Sequence, residues 1–177
     1  MAHQASLLPA GSDATFYDIG RSIALWVSAF EILIHPGTNG RADLRKVFDL
    51  IERVPWALRL SGFRRFSTGP KGCKSRRTRA SWIYWHLYKA RNDFLHGNPV
   101  SRKALVFVGS KRNLFDYAGP LYRLALTAFL PLTFTKPIRR RQNAVEFGEY
   151  MADRINFLSY QRAIEEGILT ARQKPTD

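Results

Sequence analysis

With a single cysteine, Cys73, among 177 residues, the chain cannot form an internal disulfide, and nothing in its composition points to an oxidising compartment. Histidine is almost as scarce. Four His and one Cys, with no ligand-like spacing among them, argue against a structural zinc site, and no residue pattern asks for another cofactor. The longest apolar stretch, Leu124 to Phe134, is too short to cross a bilayer and contains Pro131. Met1 to Ala14 lacks a basic start followed by an apolar run, so it does not read as a signal peptide. Together these absences predict a cytoplasmic protein that does not associate with a membrane.

Acidic residues are missing from the middle of the chain. From Arg53 to Asn92 there are 11 Lys or Arg and no Asp or Glu. Carried on to Val145, the span holds 20 of the 28 basic residues and only 2 of the 14 acidic ones, Asp93 and Asp116. The net charge of +14 is thus localised, and it favours a polyanionic partner, nucleic acid or an anionic surface. A solvated face or a disordered basic arm is the less favoured alternative for such a block.

Apolar material is plentiful. At 45% hydrophobic and 13% aromatic, the chain can bury one core, which predicts a single domain over 1–177 with flexible ends at about 1–14 and 170–177. Ile19, Ile23, Trp26, Phe30 and Leu33 recur at helical spacing, and Pro36, Gly37, Asn39 and Gly40 end that helix. A second helix is predicted from Arg41 to about Arg53, with Leu44, Val47, Phe48 and Ile51 on one side, and a short third segment from Trp56 to Phe66. Ser67 to Ser75, with Gly69, Pro70 and Gly72, reads as an exposed loop. A long helix follows from about Arg76, with Ile83, Leu87, Ala90 and Phe94 on one stripe, and stops at Gly97. Residues 104–108 leave room for one short strand. Another helix starts near Asp116 to Pro120 and reaches Leu130, and the last runs from about Arg140 to Ile168, burying Phe147, Met151, Ile155 and Leu158. The predicted class is all-α, a bundle of four to five helices with little strand.

The end of the long helix carries the chemistry. Leu87-Tyr88-Lys89-Ala90-Arg91-Asn92-Asp93-Phe94-Leu95-His96-Gly97 places an arginine, a polar residue and a histidine around a helix terminus. Arg holds phosphate charge and His moves protons near neutral pH, which is the pair needed to cleave a phosphodiester without a metal. Residues five apart on an ideal helix point about 140° away from each other, so Arg91 and His96 converge only where the helix ends. Gly97 supplies that ending. On spacing and capping alone, a capping or packing histidine is the simpler reading.

The same eleven residues resemble the signature of the HEPN superfamily, in which an Arg, usually followed by a polar residue, precedes a His by four to six intervening positions. Here the interval is four, Asn92 takes the polar position, and Tyr88 and Gly97 match the flanks seen in its abortive-infection and toxin-like branches. The Trp26 to Leu33 helix, with Glu31 among its apolar residues, resembles the first helix of those branches. The resemblance implies an HEPN-like helical domain that dimerises to bring two motifs into one cleft, and a metal-independent endoribonuclease of the toxin or antiviral defence kind, held in check by an antitoxin or regulatory partner. His96 would then move a proton at the ribose 2′-OH or the leaving 5′ oxygen, Arg91 would stabilise the phosphate, and Asn92 would orient one of them. RNA is required, because DNA has no 2′ nucleophile. Arg64, Arg65, Lys71, Lys74, Arg76, Arg77 and Arg79 are the expected backbone contacts. In a branch controlled by nucleotide modification a Tyr lies two residues after the His; Asn98 stands there, which argues against that control. The alternative is a non-catalytic RNA- or partner-binding module of the same fold.

Other candidates have plainer readings. His86 lies among Trp82, Trp85 and Tyr88, where a packed ring is expected, and His3 and His35 sit in the leader and at a helix end. Trp82, Tyr84, Trp85 and Tyr88 can stack unpaired bases, although such a stripe is more often core or dimer interface. Glu31, within an apolar stripe, needs a partner such as Arg91 or Lys89, or else an edge position in water. Arg139, Arg140 and Arg141 open the last helix against its dipole, and a solvated run is the simpler account.

Overall fold

A computed structural model describes residues 1–7, 15–35, 40, 43–98, 100, 105–106, 112–130 and 144–170. Among them are six helices: α1 (Ala2–Leu7), α2 (Phe16–Leu33), α3 (Leu44–Glu52), α4 (Arg79–Leu95), α5 (Leu114–Phe129) and α6 (Ala144–Leu169). Two short strands, β1 (Phe66–Thr68) and β2 (Ser75–Arg77), pair antiparallel with Ser67 opposite Arg76. The class is the all-α bundle that the periodicity predicts.

Local chemistry sets the helix starts. Thr15 and Asp18 form a reciprocal capping box on α2, Asp43 accepts from the Arg45 N–H at the start of α3, and Thr78 accepts from the Ser81 N–H at the start of α4. The core is one cluster in which α2 gives Ile23, Val27 and Phe30, α3 gives Val47, Leu50 and Ile51, α4 gives Ile83, Tyr84 and Leu87, and α5 gives Tyr117, Leu121 and Leu124. α2 and α4 meet closely because Gly20 has no side chain. A Cβ there would lie 2.0 Å from the Phe94 ring, so this glycine seats the last turn of α4 against α2.

The structure corrects several expectations. Residues 1–7 are not a featureless leader, since α1 packs Ala5 into the core; 8–14 and 171–177 lie outside the described residues. A helix of six residues is too short for periodicity to reveal. The Trp56 to Phe66 segment forms turns, ending in β1, and the expected 67–75 loop is instead the tip of a hairpin. At 104–108 only Leu105 and Val106 are described, and Val106 makes a single bridge to Asn113. α5 begins at Leu114, which moves Pro120 to the second turn, where it removes one intrahelical donor.

The α6 stripe departs furthest. Phe147 and Ile155 are 41% and 57% exposed, and Met151 and Leu158 are only half-buried. Length explains this. At about 1.5 Å per residue, the 26 residues of α6 outrun the 16 of α5, and among the described residues its buried positions, Gln161, Glu165 and Ile168, all lie in the carboxyl half. Arg139 to Arg141 lie outside the described residues.

Candidate functional site at the ends of helix α4

Helix α4 separates two polar clusters by about 25 Å, its 17 residues at 1.5 Å each. At its amino end, α3 supplies the acid that the basic stretch lacks. Arg77 lies 3.3 Å from Glu52 and 3.6 Å from Asp49, with its guanidinium over the Phe48 ring at 4.7 Å. Arg64 reaches the same Glu52 at 3.0 Å, and the Ser81 hydroxyl donates to it at 3.3 Å. Arg79 donates to the Leu169 carbonyl and lies over Phe66. Of the seven expected RNA contacts, Arg77 and Arg79 are therefore built into the packing. Arg64, Arg65, Lys71, Lys74 and Arg76 are exposed, on or beside the hairpin, with Arg65 over the Phe63 ring at 4.6 Å.

At the carboxyl end the helix closes in a Schellman arrangement. The Asn98 N–H donates to the Asp93 carbonyl at 2.8 Å and the Gly97 N–H to Phe94 at 3.1 Å, with Gly97 at φ +73°. His96 is the cap residue itself, at φ −89° and ψ 9°, and it is exposed with no side-chain hydrogen bond among the described residues. Arg91 turns the other way. Its Nη2 lies 3.6 Å from Glu31 on α2, and its Nη1 donates to Asn92 Oδ1 at 3.1 Å. Glu31 thus pairs with Arg91, while Lys89 pairs with Asp93 one turn on at 3.5 Å. The helix ending that convergence requires is present, yet no hydrogen bond joins Arg91 to His96.

The remaining groups are structural. His86 is half-buried, edge-on to Trp82 with ring centroids 4.6 Å apart, and burial, reinforced by nearby Lys89, pushes its pKa down to about 4. It is neutral at pH 7 and packs as expected. The Tyr84 ring, fully buried 4.9 Å from Phe30, has a hydroxyl with no partner among the described residues; burial first, then the Glu31 carboxylate, raises its pKa well above the usual range. Sequence reasoning missed Glu165. Fully buried on α6, it accepts from the backbone N–H groups of Ala57 and Leu58, each at 2.8 Å, and from Gln161 at 2.8 Å, fixing the turn segment that leads into the hairpin. Its neighbours Ile164 and Glu166 gave no signal, because its two backbone donors are over 100 positions away.

A groove of about 600 Å³ opens elsewhere, between Leu33 and Ile34, Lys46, Asp49 and Arg53 of the α3 region, and Ala128 and Phe129. It contains neither Arg91 nor His96. No helix among the described residues is long and apolar enough to cross a membrane. No protein family model, curated protein or solved structure matches the chain.

Proposed function

We propose that the protein is a metal-independent endoribonuclease of the HEPN type, acting as a toxin or antiviral effector. The observation that carries this reading is the carboxyl end of α4, where a solvent-facing His96 sits on a Schellman cap one turn beyond an Arg91 and Asn92 already joined by a hydrogen bond. In this reading His96 takes the 2′-OH proton or returns one to the leaving 5′ oxygen, and Arg91, steadied by Glu31, neutralises the phosphate. The products carry 2′,3′-cyclic phosphate and 5′-OH ends. The exposed hairpin residues Lys71, Lys74 and Arg76 hold the RNA backbone. A second copy completes the cleft, and the first half of α6, with Phe147 and Ile155 exposed on one stripe, offers it an apolar face. An antitoxin or similar regulator belongs to the same proposal.

End-group analysis of RNA incubated with wild-type and His96→Ala protein tests it, with EDTA present throughout. Cleavage that survives the substitution removes His96 from the mechanism. The second reading, a non-catalytic RNA-binding module, is favoured by the Glu31 pair that already occupies Arg91. It predicts salt-sensitive RNA affinity and no product.

A further inference from the structure

The carboxyl ends of α2 and α5 come together at one side of the groove described above and leave apolar side chains in water there. Leu33, Ile34 and Phe129 line it, with Phe129 47% exposed. Ile32 and Leu130, each one position further along the chain, are exposed too. Helix α3 supplies the polar lining. It turns Val47, Phe48, Leu50 and Ile51 into the core, so Lys46, Asp49 and Arg53, at intervals of three and four, form its outer row. Arg77 already engages Asp49 at 3.6 Å. Lys46 and Arg53 are exposed, and neither forms an ion pair among the described residues. Folding accounts for the core side of these helices, but it does not call for open apolar side chains beside two unpaired cations.

We propose that this groove docks an acidic amphipathic helix of another protein, its apolar stripe against Leu33, Ile34 and Phe129 and its carboxylates on Lys46 and Arg53. Charge sets the sign of the partner, since two unpaired cations in a chain of net charge +14 face a single carboxylate that is already engaged. Shape sets its form. The lining comes from the ends of helices and from α3, and neither β1 nor β2 contributes to it, so an extended peptide finds no strand edge to pair with. From Lys46 to Arg53 the axis runs about 10 Å, room for two turns of a helix. A second copy of this chain fits poorly. Its α6 offers the apolar stripe Phe147, Met151 and Ile155, but Glu146, Glu149 and Asp153 lie on the opposite side of that helix. Burying the stripe would turn those acids away from the cations. Neither Arg91 nor His96 borders the groove, so docking there is independent of RNA cleavage.

The probe is a phage-displayed library of randomised helix-forming peptides, selected on the full chain. Wild-type protein should enrich peptides with apolar residues at helical spacing and Asp or Glu beside them. The double variant Lys46→Glu with Arg53→Glu should enrich Lys or Arg at those flanks instead, although the rest of the chain stays basic. By fluorescence anisotropy, a selected acidic peptide should bind this double variant, and separately Phe129→Ser, at least about tenfold more weakly than wild type. All three positions are exposed, and unchanged melting curves verify that the variants fold. No enrichment on wild-type protein overturns the proposal. So does an acidic peptide that binds Phe129→Ser as tightly as wild type, which would be held by net charge alone, or a double variant that still enriches acidic peptides. A wild-type self-association lost in the double variant would give the groove to a second copy, and an RNA affinity that falls on Phe129→Ser would give it to nucleic acid; either result also overturns it.

Discussion

The two ends of α4 use the same kind of residue in opposite ways. At the amino end, Arg77 is closed in by two carboxylates and an aromatic ring and is 18% exposed. At the carboxyl end, Arg91 has one looser carboxylate at 3.6 Å, and His96 beside it has no side-chain partner among the described residues. Positive charge at the first end holds the hairpin to α3; at the second it meets one carboxylate of α2 and the amide oxygen of Asn92. A run of basic residues in sequence is therefore not one surface, and its parts are sorted by partners that arrive from other elements.

Substitutions at the two ends should separate stability from function. The largest stability loss is expected at the amino end. Glu52→Ala removes the carboxylate shared by Arg64, Arg77 and Ser81, and by leaving Arg77 with the more distant Asp49 alone it should cost about 2 to 3 kcal/mol in denaturant unfolding. An equal loss from Arg91→Ala would erase the contrast.

Midway along the helix, His86 predicts a pH dependence. Folding holds its pKa near 4, below the ordinary 6.5, so the unfolded chain takes up the proton first. Its contribution is complete above about pH 6.5 and falls away as the pH drops toward 4, by about 2 to 3 kcal/mol. Melting curves of His86→Phe should be flatter across that window than those of wild-type protein.

Gly97→Ala forces a left-handed backbone on an L side chain that otherwise meets nothing within 4 Å, and should cost about 1 to 2 kcal/mol, measured as a lowered melting temperature. The smallest effect belongs to His96→Ala, within about 0.5 kcal/mol of wild type, because the side chain is exposed and only its backbone caps the helix.

The sequence made some of this legible and not the rest, for physical reasons. Helical spacing placed α2, α3, α4 and α5, because each turns one apolar face to a shared core, and Gly97 announced its own backbone geometry. The hairpin escaped, since its strands are three residues long and show no alternation that a loop would lack. α6 misled. Its apolar residues recur as if buried, yet no described neighbour is long enough to cover its first half. At the site, the motif residues were readable one by one, and the choice between Arg91 and Lys89 as partner of Glu31 was not, because it depends on how α2 crosses α4.

The central claim is that the open end of α4 is the reactive one. Wild-type protein and His96→Ala, matched for folding by melting temperature, should be incubated with RNA in EDTA and the new ends identified. The account predicts 2′,3′-cyclic phosphate and 5′-OH ends from wild type and at least about a hundredfold less product from His96→Ala. Undiminished cleavage by His96→Ala, or products ending in 3′-OH and 5′-phosphate, would contradict it.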